Sequence, residues 1–283
     1  MAKYTVILTT FNRQETLKKT LVSLENQSNK NFEINIVDDG SEDGTKDFCK
    51  DYLYSSKIPC RYIRLDKEGY NVPQMRNIGA KFAEGKYLIF LDDDIITVPQ
   101  WIQDYENHFE QNSQKVVLGR LLYVTTDFLS QISFEDIKNK RFNKLQKGLI
   151  SDIDPRKGVL KDIDFHSKVW GGNLGIKKSI FYDLNGIDED FVSWGGFDED
   201  FGLRLLRQNY CVSLVDDCTG YHLGTNFKSL EEIAQEPSIK LLNEIKKYDS
   251  TTRRNINNIN KKSFLVSVLF DGNKFPTELY KNE

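Results

Sequence analysis

The chain has 283 residues, which is about two typical domains at ~150 residues each or one large α/β domain. With 39% hydrophobic, 12% aromatic and 29% charged residues it can fill a core and keep its surface wet, which excludes a disordered or collagen-like chain. A formal net charge of −3, from 39 basic and 42 acidic residues, lacks the positive bias of a nucleic-acid binder, and no apolar run nears the ~18 residues of a transmembrane segment.

Taken in order, Tyr4 to Thr9 is a β-rich run, and Gln14 to Asn26 carries Leu17, Leu21 and Leu24 at helical spacing. Phe32 to Val37 predicts a second strand that ends in Asp38-Asp39-Gly40-Ser41, and Asp43-Gly44-Thr45 opens a second helix through Phe48, Tyr52 and Leu53. Cys60 to Leu65 predicts a third strand. Pro73 starts a helix through Met75, Ile78 and Phe82 that stops at Gly85, and Lys86 to Leu91 is a fourth strand. This alternation predicts an α/β fold with a mostly parallel central sheet flanked by helices, and ligands beyond the carboxyl ends of its strands. A helix near Pro99 to Asn112 and a strand near Lys115 to Gly119 follow.

Between Leu121 and Lys168 the alternation fails. Lys138, Lys140, Arg141, Lys144, Lys147, Arg156 and Lys157 suggest a mobile or loosely packed insertion, either a solvated face or a surface for an anionic ligand or acceptor. Tyr210 to Val215 reads as a further strand. We expect a catalytic domain over 1–228, with this insertion at about 121–168, and a helical C-terminal extension over 229–283. Within the extension, Ser263 to Phe270 is an apolar segment that packs on the core, a dimer partner or a membrane surface, core packing being favoured. Four scattered cysteines without a C-x-x-C pair, and a start with no signal-peptide pattern, predict a cytoplasmic protein with reduced thiols, at most peripheral to the membrane. A homodimer is compatible with all of this.

Leu91-Asp92-Asp93-Asp94-Ile95 delivers three carboxylates to the end of an apolar strand, where like charges need a compensating cation or solvent. Alternate residues of an extended chain point the same way, so Asp92 and Asp94 can share one ligand site while Asp93 faces elsewhere. Mn²⁺ or Mg²⁺ bridging to a nucleotide diphosphate suits such carboxylates; an acidic turn is the alternative. Thr9-Thr10-Phe11-Asn12-Arg13 and Val37-Asp38-Asp39-Gly40-Ser41 end neighbouring strands and can form a nucleotide pocket, although Asx turns also explain the second. Arg76, on the helix after Pro73, can pair with a diphosphate or hold an aspartate. Trp194-Gly195-Gly196-Phe197-Asp198-Glu199-Asp200 places three acids at a helix start, which helix capping explains. The Trp and the two glycines fit a sugar platform, beside which an acid can serve as general base. Gly171-Gly172-Asn173 offers close backbone contact. His222 is a candidate metal ligand or a structural histidine, and the other two histidines, His108 and His166, have no assigned role.

Together, Thr-Thr-Phe-Asn-Arg, Val-Asp-Asp-Gly-Ser, Arg-Asn-x-Gly, Leu-Asp-Asp-Asp and Trp-Gly-Gly-x-Asp-x-Asp, in this order over Tyr4 to Leu223, resemble the inverting nucleotide-sugar glycosyltransferases of family 2. Gly171 to Arg207 also resembles the catalytic segment of β-1,4-galactosyltransferases, polypeptide N-acetylgalactosaminyltransferases and chondroitin-type polymerases. The resemblance implies the GT-A (Rossmann-like) fold and a UDP-sugar donor, with a glycan, lipid-linked or peptide acceptor. Residue by residue it implies that Thr9 and Asp39 contact uridine, that Phe11, Arg13, Asp38 and Asp93 help line the nucleotide site, and that Arg76 lies near the diphosphate. Asp92 would approach the ribose or donor sugar, and Asp94 and His222 would bind the metal. Asp198 matches the catalytic base, with Asp200 in reserve, and Gly171, Gly172, Asn173, Trp194, Gly195 and Gly196 match the sugar site. Phe197 departs from the pattern, because many relatives carry Glu there. A sugar nucleotidyltransferase and a non-catalytic nucleotide-sugar or glycan-binding subunit are the competing readings.

Overall fold

All seven residues of Tyr4–Thr10 (β1) are buried, without alternation, because the strand runs through the middle of a sheet covered on both faces. The computed structural model describes residues 2–65, 71–129, 131–157, 169–191, 196–225 and 266–270. After β1 come α1 (Gln14–Glu25), β2 (Phe32–Asp38), α2 (Thr45–Ser55), β3 (Cys60–Leu65), α3 (Val72–Lys81) and β4 (Tyr87–Asp92). The expected βα alternation of the first third is therefore present. The chain continues through β5 (Ile95–Thr97), α4 (Trp101–Gln111) and β6 (Val116–Thr125), then α5 (Thr126–Leu129), α6 (Phe134–Lys138) and α7 (Asn143–Lys147). It ends with β7 (Asn173–Lys177), α8 (Lys178–Asp183), α9 (Phe197–Arg207), β8 (Val212–Thr225) and β9 (Val266–Phe270).

The described strands form one sheet in the order β5-β8-β6-β7-β4-β1-β2-β3-β9. Strands β3, β2, β1 and β4 are parallel, β7 returns antiparallel beside β4, and β6 and β8 are parallel to each other. The sheet is thus mixed, its parallel character concentrated in the N-terminal half. One face is covered by Leu17, Leu21 and Leu24 of α1 with Trp101, Ile102, Tyr105 and Phe109 of α4. The other is covered by Met75 and Ile78 of α3 and by Phe197, Phe201 and Leu205 of α9. Each such apolar side chain contributes roughly 1.5–3 kcal/mol when fully buried. Register then positions the site: Thr10 lies beside Asp38 and Thr9 beside Asp92, so three polar strand ends meet at one edge of the sheet.

The stretch expected to be loose is packed where it is described. Ile132, Ile137 and Leu145 are buried against Ile96, Leu122, Val124, Tyr221 and Leu223. Arg156 is fully buried, pairs with Asp154 at 2.7 Å and donates to the Gly119 carbonyl at 2.6 Å. Lys144 and Arg141 pair with Asp136, and Lys157 pairs with Asp216, so this part of the basic run is engaged within the fold. Helices of four or five residues are too short to show a 3.6-residue period, which is why the sequence reads as irregular here. The extension also differs from expectation. Its described part, β9, is an edge strand antiparallel to β3, with Ile63 beside Val268, where helices were expected; β-branched Val266 and Val268 favour that state. His166, Trp194 and Gly195 lie outside the described residues. Among the described residues no helix is long and apolar enough to cross a membrane.

Candidate active site

Strand β4 ends at Asp92, a turn holds Asp93 and Asp94, and β5 begins at Ile95. Because β5 pairs antiparallel with β8, Ile95 lies beside His222, and the Leu223 N–H donates to the Asp94 carbonyl at 2.9 Å. That register brings together ligand atoms of Asp92, Asp94 and His222, all within 4.8 Å of one another. Asp94 Oδ1 is buried without a hydrogen-bond donor and faces His222 Nε2 at 3.6 Å. A buried acceptor left unsatisfied costs about 1–3 kcal/mol, and this one converges with a second carboxylate and an imidazole. Such an O,O,N set fits a divalent cation. The His222 ring stacks on Tyr123, centroids 4.9 Å apart, which fixes its plane.

Asp93 faces the other way. Thr10 Oγ1 donates to it at 2.6 Å and Arg13 Nη1 lies 3.3 Å away. Burial pushes its carboxyl up to about 8, against the opposing pull of Arg13. The second Arg13 nitrogen donates to Asp94 Oδ2, so this guanidinium spans both carboxylates from the start of α1. Phe11 is half exposed beside it.

At the β2 end two adjacent aspartates are held differently. Asp39 is buried and accepts from the Asn71 backbone N–H at 3.2 Å and from Asn71 Nδ2 at 2.8 Å, which joins it to the start of α3. Asp38 has no exposed surface and accepts from Tyr62 Oη, from Arg64 Nη1 at 2.9 Å and from the Ser41 N–H at 2.8 Å. Three hydrogen bonds from within the protein hold this buried carboxylate, so in this structure Asp38 braces β2 against β3. Thr9 is buried beside Asp92 in the sheet register.

Arg76 links the acidic turn to the start of α9. Its Nη1 donates to Asp198 Oδ1 at 2.7 Å and its Nη2 to Asp92 Oδ1 at 3.1 Å, while its guanidinium lies 5.2 Å from the Phe197 ring centroid. Of the two roles open to this arginine, the structure places it between two aspartates. Burial raises the Asp198 carboxyl above its usual range, and Arg76 and the Gly171 backbone oppose that shift. Gly171 and Gly172 make the approach possible: a Cβ would fall 2.1 Å from Arg76 Nη1 at the first and 2.5 Å from Asp92 Oδ2 at the second.

Two further expectations are corrected. Asp200, the reserve base, is buried and accepts from Arg204 Nε at 2.7 Å, while Arg204 also binds the Leu184 and Gly186 carbonyls. Two residues beyond Asp198 on α9, it lies about 200° round the helix and is buried in the protein. Asn173 is fully buried; its Oδ1 accepts from Trp101 Nε1 and Tyr105 Oη, and its Nδ2 donates to the Arg120 and Cys218 carbonyls. That saturates the amide, so it braces strands rather than facing a sugar. Gly196 is the N-cap of α9, its N–H 3.2 Å from Glu199 Oε2.

Two supporting residues, Arg64 and Asn71, carried no sequence signal, whereas Asn77 stands in Arg-Asn-x-Gly. Arg64 meets Asp38 only through the β2–β3 register, and Asn71 meets Asp39 only through the chain's return. Asn77 clamps the Ile187 backbone and Glu189, tying α3 to the loop before α9. The acidic run Asp188-Glu189-Asp190, just upstream of Asp198, was a second visible hint to this contact.

The sequence matches the glycosyl transferase family 2 model over residues 5–163 and a model described as the N-terminal domain of galactosyltransferase over residues 161–225. Chondroitin synthase of Escherichia coli is 29% identical over 238 residues, covering 77% of this chain and 34% of that protein. Hyaluronan synthase of Pasteurella multocida is 28% identical over 246 residues, covering 77% of this chain and 24% of that protein. The chain thus spans a quarter to a third of these two relatives. Among solved structures, Staphylococcus aureus TarS 1–349 in complex with UDP-GlcNAc is similar with a TM-score of 0.61 at 19% identity, covering 86% of this chain and 65% of that one. That likeness shows the GT-A fold.

Proposed function

Because the chain belongs to glycosyl transferase family 2, we propose that it is a metal-dependent inverting glycosyltransferase that moves a hexose or N-acetylhexosamine from a UDP-sugar to a hydroxyl of a glycan, lipid-linked or peptide acceptor. One observation carries this reading: Arg76 joins Asp198 to Asp92, so a candidate general base stands one guanidinium away from the Asp92–Asp94–His222 cation set. The UDP-GlcNAc bound to TarS and the polymers named for the two synthases point to a UDP-sugar and a glycan.

Asp92, Asp94 and His222 would hold Mn²⁺ or Mg²⁺. When bound, the ion offsets the charge that develops on a departing diphosphate. Asp198 accepts the proton of the acceptor hydroxyl as its oxygen attacks the anomeric carbon, and the nucleoside diphosphate leaves from the opposite face. Configuration inverts in that single displacement. The raised Asp198 carboxyl is a stronger base than an exposed aspartate, and Arg76 keeps one of its oxygens fixed beside Asp92. Asp39, Thr9 and Phe11 would line the uridine side and Gly171 and Gly172 the sugar side. The thiols of Cys49, Cys60, Cys211 and Cys218 are free, three of them buried, which agrees with a cytoplasmic setting.

The test is a screen of UDP-sugars for acceptor-dependent UDP release with Mn²⁺, followed by NMR of the new glycosidic bond. An anomeric configuration opposite to that of the donor is expected. Retention would exclude single displacement, and pyrophosphate release would indicate a nucleotidyltransferase.

A further inference from the structure

Arg13 holds one of the two carboxylates that a cation would need, Asp94, together with the neighbouring Asp93. One guanidinium nitrogen donates to Asp94 Oδ2 and the other lies 3.3 Å from Asp93 Oδ1. The two acids are almost completely buried, with side-chain exposures of 3% and 4%, whereas the arginine side chain is 47% exposed. The guanidinium is therefore the solvent-facing cover on a buried pair of negative charges. It is also the movable part, a long side chain anchored at the N-cap of α1, next to Asn12 in the left-handed region at φ 51°. Asp94 is shared between two directions: one oxygen goes to Arg13, and the other, without a donor, faces His222.

A divalent cation on Asp94, Asp92 and His222 would put two positive groups on one carboxylate. Each weakens the hold of the other. An arginine weakened in this way can be retained by the most anionic group that arrives with the cation, which is a diphosphate; planar guanidinium donors suit its oxygens. Building on the glycosyltransferase reading, we propose that Arg13 is a built-in competitor of the metal that exchanges from Asp94 onto the donor diphosphate, making metal binding weak alone and strong with nucleotide. The structural reason is that one carboxylate serves both cations, and only a ligand carrying its own negative charge satisfies both at once.

The experiment is calorimetric titration of Mn²⁺ into the full chain, alone and with saturating UDP, for wild type, Arg13→Gln, Arg13→Lys and Asp94→Asn. Arg13→Gln should bind Mn²⁺ alone about tenfold tighter than wild type, and UDP should then raise its Mn²⁺ affinity by a smaller factor than it does in wild type. Arg13→Lys keeps a positive charge and should stay close to wild type for Mn²⁺ alone. Because the side chain is half exposed, the glutamine variant should fold; circular dichroism checks this, and the lysine variant tests the charge independently. Equal or weaker Mn²⁺ binding by Arg13→Gln, with wild type binding Mn²⁺ and Asp94→Asn not, would overturn the competition while leaving the metal site in place. Wild type that binds no Mn²⁺ even with UDP, or Asp94→Asn that binds as wild type does, would remove the metal site and the competition together.

Discussion

Arg76 and Asp198, 122 positions apart in sequence, meet at 2.7 Å where the first turn of α9 abuts α3. The same guanidinium reaches Asp92 at 3.1 Å, so the end of β4 and the start of α9 are locked through one side chain. Geometry of this kind decides rates, since a misplacement of about 1 Å can cost ~10²-fold.

Arg76→Ala should therefore lower kcat by about 10²-fold or more, with Arg76→Lys recovering part of the loss. It should also shift the pH profile. Arg76 holds the Asp198 carboxyl down against burial, so its removal lets that carboxyl rise and moves the acidic limb of kcat/KM to higher pH. An unmoved limb would mean that Arg76 does not govern the base.

Asp94→Asn and His222→Ala should abolish the Mn²⁺ dependence of UDP binding, and a chelator should do the same to wild type. Ligand loss acts on affinity directly, because among the described residues His222 and Asp94 are two of the three groups converging there. Calorimetry with and without metal reads this, and unchanged titrations in both variants would place the ion elsewhere.

Asp200→Asn and Asn173→Ala should cost stability rather than chemistry. The first breaks a buried pair with Arg204, at about 3–5 kcal/mol. The second leaves Trp101 Nε1 and Tyr105 Oη as buried donors without an acceptor, at about 1–3 kcal/mol each. Thermal melts should show both losses, while turnover per folded molecule at low temperature stays near wild type. A selective loss of kcat in folded Asp200→Asn would return that residue to the reaction.

Asp104 gives a test on the opposite side of α4. Burial, with Asp217 nearby, pushes its carboxyl up to about 6, and His108 opposes the shift. A raised carboxyl favours the protonated form in the folded protein, so its contribution to stability is intact below about pH 4. It is lost as pH rises through about 6. Asp104→Asn should accordingly raise Tm relative to wild type at pH 7 and change it little at pH 4. The reverse order would show that the carboxyl is not raised.

The first third of the fold was legible because Leu17, Leu21 and Leu24 repeat at helical spacing and the strands are short runs rich in apolar and β-branched residues between turn signals. The acidic cluster at the end of β4 was legible too; Asp93 faces away from Asp92 and Asp94 as expected, but through a turn rather than the alternation of an extended chain. What sequence could not show depends on register and return of the chain. Nothing local distinguishes Asp38, consumed by Tyr62 and Arg64, from Asp39 one residue on. Nor does any pattern tell that Asn173 is saturated inside the sheet, or that Asp200 turns inward while Asp198 meets Arg76. The short helices after β6 and the edge strand β9 were missed for lack of periodicity and of a local partner, respectively.

The most direct test of the central claim is single-turnover sugar transfer with Mn²⁺ by wild type and Asp198→Asn, together with UDP binding by both. Loss of the base should reduce transfer by ~10²–10⁴-fold and leave UDP affinity unchanged. Transfer by Asp198→Asn at the wild-type rate, or a folded wild type that neither binds UDP nor releases it from any donor, would contradict the account.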